Sequence, residues 1–213
     1  MRRAPGIRVD MEESRVPAST AARPMEIRSG GPVWVRAIEP ADAGELRRAF
    51  EHLSEQSRYR RFFTGMRTLS DGTLRALTEL DHIDQEALIA SPAEDSPTII
   101  GVARFARYSH DRALADLAIT VADEWHGRGV ATGLLRLLNR RAAEVGITHF
   151  TADMLADNRA VLALVQAAGG SDTTGAGGTV ITARIDIRDE TDVVACDAAA
   201  VLRAAARLTA RAR

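Results

Sequence analysis

The chain has 213 residues, 46% of them hydrophobic, and a formal net charge of −1. This length suits one domain with some additional tail, and the balanced charge excludes the bulk attraction to nucleic acids or anionic membranes that a basic protein has. A single cysteine, Cys196, excludes an intrachain disulfide, and the scattered histidines lack the paired spacing of a zinc site. Residues 1–28 have no apolar secretory core. We therefore expect a cytoplasmic, metal-free protein without a nucleic-acid or membrane partner.

The positively charged side chains have an unusual composition. All 28 residues in the combined Lys and Arg count are arginine, and the sequence contains no lysine. Whatever the origin of this bias, no lysine of the chain can be modified by the protein's own chemistry.

The N-terminal part of the chain is predicted to be an arm, one strand and three helices. Residues 1–31 mix arginine, proline, serine, glycine and alanine without periodicity, which predicts a flexible arm. A β-branched and aromatic run at 33–38 predicts a first strand, and Pro40 suits the first turn of a helix. Ser54 and Ser70 stand where two further short helices are expected to begin.

The central part is predicted to be mainly strands. Apolar runs at 86–90 and 98–108 flank a turn rich in proline and acidic residues, which predicts an antiparallel hairpin. Another strand is expected from Leu114 to Val121, and the apolar spacing at 130–145 predicts a long amphipathic helix.

The C-terminal part continues this alternation. A strand at 148–155, a helix that begins at Asn158 and a last strand at 179–187 are expected. Residues 191–213, rich in alanine and arginine, predict a C-terminal helix that packs on the domain or on a second copy of the chain, so a homodimer is one expected assembly. The order of elements predicts an α+β, or mixed α/β, fold with helices on the faces of one sheet.

A glycine loop joins the strand at 114–121 to the long helix. Gly127 and Gly129 let the backbone turn sharply and leave its N–H groups uncovered, and the positive end of the following helix points at the same place. A strand, a glycine loop and a helix N-terminus together suit a phosphate or pyrophosphate. Two glycines alone would equally suit a plain tight connection, so the surroundings must decide.

A Rossmann dinucleotide site is one interpretation of this loop. Gly127, Gly129 and Gly133 fit its spaced glycines, and Asp153 lies where its ribose-binding acid would be. However, residues 123–126 separate the strand from the first glycine, whereas a Rossmann turn follows its strand directly. Antiparallel hairpins before the loop also count against this interpretation.

The loop resembles that of another family. The residues from His126 to Ala131 resemble the acetyl-CoA loop of the GNAT acetyltransferases, Q/R-x-x-G-x-G/A, with histidine at the first position. The segment from Asp157 to Ala160 resembles the family's second cofactor segment. The stretches 57–63, 81–88, 102–105 and 115–123 are similar to the catalytic domain of actinobacterial protein-lysine acetyltransferases.

The resemblance covers roughly residues 33–187 and has consequences for fold and cofactor. It implies a GNAT-like mixed, mostly antiparallel sheet flanked by helices, an acetyltransferase domain at 32–190 and acetyl-CoA as co-substrate. A strand backbone would pair with the pantetheine arm of the cofactor. The implied cofactor-binding residues are Ile119, Thr120, Val121, His126, Gly127, Arg128, Gly129, Val130, Ala131, Thr132 and Asn158.

Asp116 is the predicted catalytic base. It lies on the face of its strand opposite Leu117 and Ile119, and the lysine acetyltransferases that the chain resembles have a glutamate at the matching position. Aspartate is one methylene shorter, so we expect proton transfer through a water. An exposed acid at a sheet edge is the alternative. The tyrosine with which many GNAT enzymes protonate the leaving thiolate is replaced by Val165, so the thiolate leaves unaided or takes a proton from water.

These features predict an N-acetyltransferase that moves an acetyl group from acetyl-CoA directly to a primary amine, with protein lysine as the favoured acceptor. Asp81, Asp84 and Glu86 are expected to join Asp116 in an acidic cleft, although a structural role suits Asp84 and Glu86 better. The same acids would suit a polyamine or an aminoglycoside. The shortened acid and Val165 motivate an alternative, a non-catalytic acyl-CoA-binding regulatory module. A Rossmann oxidoreductase ranks last.

Overall fold

The structure is a computed structural model that describes residues 20–170, 172–174 and 179–187. Each strand and helix predicted between residues 33 and 187 is present, although the strand predicted from residue 98 begins at Gly101. The C-terminal helix predicted at 191–213, with Cys196, lies outside the described residues. The strands are β1 (Arg23–Met25), β2 (Val33–Ala37), β3 (Gln85–Ser91), β4 (Gly101–Arg107), β5 (Leu114–Val121), β6 (His149–Leu155), β7 (Asp172–Thr174) and β8 (Val180–Asp186). The helices are α1 (Ala43–His52), α2 (Glu55–Phe62), α3 (Asp71–Thr78), α4 (Val130–Glu144) and α5 (Arg159–Ala167).

The described strands form one sheet in the order β1-β2-β3-β4-β5-β6-β8-β7. Every neighbouring pair is antiparallel except β5 and β6, which are parallel because α4 carries the chain back between them. The predicted hairpin is β3 with β4, whose register places Leu88 opposite Ala103. The predicted mixed, mostly antiparallel sheet is therefore confirmed.

The N-terminal segment differs from the prediction. Residues 23–25 form β1, antiparallel to β2 with Met25 opposite Val33, so an arm that ends only at residue 31 is wrong for this stretch. Met25 is 3% exposed and packs in the core. A three-residue edge strand that contains Pro24 carries no periodic signal, which is why the composition suggested a loose arm. Residues 1–19 lie outside the described residues.

Helices cover both faces of the sheet. On one face, α4 packs Leu134 against a fully buried pair, Phe105 and Phe150, whose ring centroids are 6.0 Å apart. On the other face, α1 and α3 pack on β3, with Phe50 and Ile89 in the second core. None of the described helices is long and apolar enough to span a lipid bilayer.

The sheet is forked between β5 and β6. These strands pair only where residues 114–116 face residues 149–151. Beyond that point β5 stays paired with β4 to Val121, and β6 stays paired with β8 to Leu155. The two halves of the sheet therefore separate after Asp116, and a cleft opens between them.

Candidate functional site

The cleft at the fork has a volume of about 1430 Å³. Its walls are the second half of β5, the loop before α4, the middle of β6, α5 and part of α2. Asp116 and every predicted cofactor-binding residue except Arg128 line it. The fold therefore brings together residues that are more than forty positions apart in sequence, and their contact with a cofactor stays a prediction.

One wall of the cleft is the unpaired edge of β5. The N–H of Ala122 donates to the carbonyl of Ile100 at 2.8 Å, so this amide faces β4. Because amides alternate along a strand, those of Ile119 and Val121 face the gap. An edge of this kind can pair with an amide-bearing chain. Pairing with pantetheine by Ile119, Thr120 and Val121 stays a prediction.

The loop after β5 is held in shape by side chains on both sides. A short 3-10 turn at Asp123–Trp125 fills the interval between the strand and the first glycine. The Asp123 carboxylate accepts hydrogen bonds from the Ser54 backbone N–H at 2.8 Å and from the Ser57 hydroxyl at 2.6 Å. His126 Nε2 lies 2.9 Å from the Val121 carbonyl oxygen, so the histidine closes the turn. The loop is thus fastened to α2 and to the end of its own strand.

The two loop glycines adopt conformations that other residues rarely adopt. Gly127 has φ 73° and Gly129 has φ 95°, both in the left-handed region. Gly129 is the N-cap of α4 and has no side chain, so the first amides of the helix remain for a ligand. The Arg128 guanidinium lies over the Trp125 ring, 4.7 Å from its centroid, and does not line the cleft. The arginine therefore supports the loop from outside.

The segment before β2 also contacts this loop, and the sequence did not predict this contact. The Arg28 backbone N–H donates to the Arg128 carbonyl at 2.8 Å, and its guanidinium donates to the Gly127 carbonyl. Glu26, Ile27 and Arg28 line the cleft. No local motif indicates such a contact, because it joins positions about one hundred residues apart.

Asp116 stands at the last position where β5 pairs with β6, opposite Thr151. Its carboxylate is half-buried and makes no hydrogen bond to any residue that the structure describes. Burial raises the pKa of Asp116 above its ordinary value, and Asp153 adds to the rise, whereas the charges of Arg61 and Arg104 oppose it. This is a carboxylate that is free to accept a proton and more basic than an exposed aspartate.

The positive charges of two arginines, Arg61 and Arg104, act on Asp116. Arg61 of α2 is half-buried and lines the cleft. Burial lowers the pKa of Arg61 to about 10, helped by the charge of Arg104. Arg104 is half-buried on β4 and donates a hydrogen bond to the Gln85 side-chain oxygen at 3.3 Å. No local pattern in the sequence shows which side of α2 faces the fork, so the position of Arg61 could not be predicted.

The expectation of an acidic cleft is wrong for the other predicted acids, because none of the three lines the cleft. Asp81 accepts hydrogen bonds from the backbone N–H groups of residues 83–85 at 2.8–2.9 Å. Asp84 pairs with Arg112 at 2.7 Å. Glu86 is fully buried against Arg141 of α4. These acids lie beyond β4, where loop and helix contacts already satisfy them.

Two further predicted positions lie on α5. Asn158 is the N-cap, and its side-chain oxygen accepts from the Val161 N–H at 3.4 Å. It also lines the cleft, so a contact with cofactor stays a prediction. Val165 is buried at 4% exposure and supplies no proton donor. Within the described residues, no cluster of three or more His, Cys, Asp or Glu side chains could hold a metal ion.

Known proteins are similar to this chain in sequence and in fold. Residues 33–171, more than half of the chain, match the model of the acetyltransferase (GNAT) domain. Acetyltransferase Pat of Mycolicibacterium smegmatis is 30% identical over 153 residues, which are 72% of this chain and 45% of that protein. An acetyltransferase of Pseudomonas aeruginosa is 28% identical over 141 residues, 66% of this chain and 75% of that protein. The chain thus spans less than half of the mycobacterial relative.

Solved structures of acetyltransferases have a similar fold. The GNAT domain of PAT from S. lividans has a TM-score of 0.70 at 28% identity, covering 78% of this chain and 96% of that one. YncA of Salmonella typhimurium, solved with its cofactor acetyl-CoA, has a TM-score of 0.60 at 16% identity, covering 74% of this chain and 95% of that one, and shows the same fold. From the domain match and the forked sheet together, we conclude that the chain belongs to the GNAT family of acetyltransferases.

Proposed function

We propose that the protein transfers an acetyl group from acetyl-CoA directly to a primary amine, with protein lysine as the acceptor and Asp116 as the general base. The observation that carries this proposal is the position of Asp116. It lies where β5 and β6 separate, between a free strand edge and a glycine loop at a helix N-terminus. Membership of the GNAT family supports the same reaction.

The cofactor would occupy the fork in an extended conformation. The uncapped start of α4 after Gly129 suits the diphosphate, because backbone N–H groups and the helix dipole both favour negative charge. The edge amides of Ile119 and Val121 suit the amide-bearing pantetheine arm. This placement would bring the thioester to the β5 side of the fork near Asp116. A solved relative that holds acetyl-CoA supports this use of the fold.

The chemistry needs a neutral amine. The acceptor ammonium gives one proton to the Asp116 carboxylate through an intervening water, and its nitrogen lone pair then attacks the thioester carbonyl carbon. The carbon–sulfur bond breaks and expels the CoA thiolate. The second proton on nitrogen passes to this thiolate, directly or through water, so no acid at position 165 is required.

The flanking arginines would assist deprotonation. An ammonium bound at Asp116 would experience the positive charges of Arg61 and Arg104, which act on Asp116 and would favour loss of the ammonium proton. Asp116 supplies the attraction that brings the ammonium in. The protein-lysine acceptor is supported by the resemblance of residues 57–63, 81–88, 102–105 and 115–123 to protein-lysine acetyltransferases.

The alternative is a module that binds acyl-CoA without catalysis. It is favoured by the buried Val165, which leaves that position of α5 without a hydroxyl group. The two functions differ in whether a bound thioester is consumed.

The test combines binding and turnover. Acetyl-CoA affinity would be measured by calorimetry, and CoA release would be followed with lysine peptides, intact proteins, a polyamine and an aminoglycoside. Faster turnover with lysine acceptors supports the proposal. Turnover only with the polyamine or the aminoglycoside would replace lysine as the acceptor, and tight binding without turnover on any acceptor would favour the module. The lysine-free sequence removes lysine self-acetylation from the background.

A further inference from the structure

We infer that residues 23–28, here named the N-terminal strap, hold the phosphate loop in its cofactor-binding conformation, with Arg28 as the positioning residue. The inference rests on the proposed function in taking acetyl-CoA as the ligand of the loop. It assigns a role to a segment outside the matched domain, which begins at residue 33.

The strap binds the loop through two consecutive carbonyl groups. Arg28 donates from its backbone N–H to the Arg128 carbonyl at 2.8 Å and from its guanidinium to the Gly127 carbonyl. In a planar trans peptide, the carbonyl and the next N–H point in opposite directions. Fixing these two carbonyls toward Arg28 therefore turns the N–H groups of Arg128 and Gly129 away from it. Within the described chain those two N–H groups have no acceptor, which leaves them for a ligand.

The glycines of the loop region show how closely the strap packs. A Cβ at Gly129 would lie 3.0 Å from the Arg28 nitrogen, and one at Gly133 would lie 2.6 Å from the Met25 sulfur. A Cβ at Gly127 would meet nothing within 4 Å. Two of the three glycines therefore make room for the strap, and only Gly127 leaves open space for a ligand.

The strap itself is firmly anchored. Its strand β1 pairs with β2, and Met25 is 3% exposed in the main core beside α4. Arg28 leaves this anchor as an exposed residue that lines the cleft. Its guanidinium has five N–H donors and uses one on Gly127, so it also brings a positive charge beside the expected diphosphate.

The experiment compares Arg28→Ala with Arg23→Ala in the full chain. Arg23 is an exposed arginine of the same strap and makes no side-chain hydrogen bond to the described residues, so it is a matched control. We expect Arg28→Ala to weaken acetyl-CoA binding roughly fivefold to tenfold, as for loss of one charge-assisted hydrogen bond, with kcat retained. S-acetylpantetheine, which lacks the diphosphate, should bind both variants like the wild type. Arg28→Lys should restore part of the affinity.

Hydrogen exchange without ligand provides a second readout. The amides of residues 126–130 should exchange faster in Arg28→Ala than in Arg23→Ala. Equal affinity and equal exchange in the two variants would overturn the inference. A parallel loss of S-acetylpantetheine binding would also overturn it, since the effect would then not pass through the phosphate loop. If the wild-type protein binds no acetyl-CoA, but the amides of residues 126–130 still exchange faster in Arg28→Ala than in Arg23→Ala, the proposed function is refuted and the effect of the strap on the loop is not.

A second variant displaces the strap without touching Arg28. In Gly133→Ala the new methyl group collides with Met25, although alanine favours the helix itself. We expect weaker acetyl-CoA binding in Gly133→Ala and recovery in the double variant Met25→Ala/Gly133→Ala. A double variant that binds no more tightly than Gly133→Ala would contradict the role of the strap.

Discussion

Glu86 on β3 and Asp116 on β5 are two carboxylates on one sheet with opposite environments. Glu86 is fully buried and accepts hydrogen bonds from Arg141 Nε at 3.1 Å and from the Ala87 N–H at 2.9 Å, with His82 Nδ1 at 2.7 Å. Asp116 is half-buried at the fork and accepts no hydrogen bond from the described residues. The Glu86 carboxylate is hydrogen-bonded by neighbouring residues of the fold, whereas the Asp116 carboxylate remains available to a ligand.

The difference shows that burial of a charge does not by itself indicate function. Arg141 reaches Glu86 from α4 and also donates to the His82 carbonyl at 2.7 Å, so this cluster joins the helix to the β3 turn. Removing one partner of such a pair leaves the other charge buried. Asp116 accepts no hydrogen bond from the described residues, so its removal should affect chemistry instead of folding.

The largest effect should come from Asp116→Asn. The amide keeps the shape but cannot accept the ammonium proton, so kcat should fall about a hundredfold to ten-thousandfold, with acetyl-CoA affinity unchanged. Steady-state kinetics and calorimetry would measure both. Asp153→Asn, in the same cleft, is the control and should retain kcat within a few-fold. Unchanged turnover in Asp116→Asn would remove Asp116 from the role of base.

The same substitution should not destabilise the fold. Burial raises the pKa of Asp116, so at neutral pH the ionised carboxylate is less favourable in the folded chain than in the unfolded chain. The melting temperature of Asp116→Asn should therefore equal or exceed that of the wild type at neutral pH. A clear fall in melting temperature would show that Asp116 has a structural partner.

Glu86→Ala should have the opposite effect to Asp116→Asn, because it should lower the stability of the fold. It leaves Arg141 partly unpaired beneath α4, and the free energy of unfolding should fall by about 3–5 kcal/mol. Glu144→Ala removes the other carboxylate bound to Arg141, at 2.8 Å on the surface, and should cost less than about 1 kcal/mol. Denaturant unfolding would measure both changes. Equal losses in the two variants would contradict a larger contribution of the buried Glu86–Arg141 pair to stability.

Arg61, beside Asp116, should influence the pH dependence of kcat. In the proposed mechanism activity requires ionised Asp116, so kcat should fall as the pH falls through the pKa of this group. Arg61 lowers that pKa, so Arg61→Gln should move the acidic limb of the kcat profile to higher pH, whereas Asp153→Asn should move it to lower pH. Arg60→Gln, one residue away, is the matched control. Shifts in the reverse directions would exclude Asp116 as the titrating group.

A smaller effect is expected where α2 meets the loop. Ser57→Ala removes the hydroxyl that donates to Asp123 at 2.6 Å, and the Ser54 N–H remains as a second donor. The KM for acetyl-CoA should rise about twofold to fivefold with kcat unchanged, as for loss of roughly 1 kcal/mol. A change in kcat alone would indicate that α2 acts on the acceptor side.

Much of this fold could be predicted from the sequence because its strands and helices have local sequence signals. The alternation along 114–121 placed Asp116 opposite Leu117, and Ser70 and Asn158 marked helix starts that the structure shares. Contacts between distant segments could not be predicted from the sequence. Arg28 meets the loop about one hundred residues later, and Glu86 meets Arg141 across two elements. Periodicity reports which face is apolar, but not what covers a polar residue.

The free edge of β5 also bears on how the protein behaves without its cofactor. An unpaired strand edge is a template for pairing with another chain, and within the described residues nothing pairs with β5 beyond Asp116 on the β6 side. If pantetheine fills this gap, the ligand acts as an additional strand of the sheet. The cofactor-free protein should then be the form most prone to aggregate, and added CoA should suppress aggregation during refolding and storage.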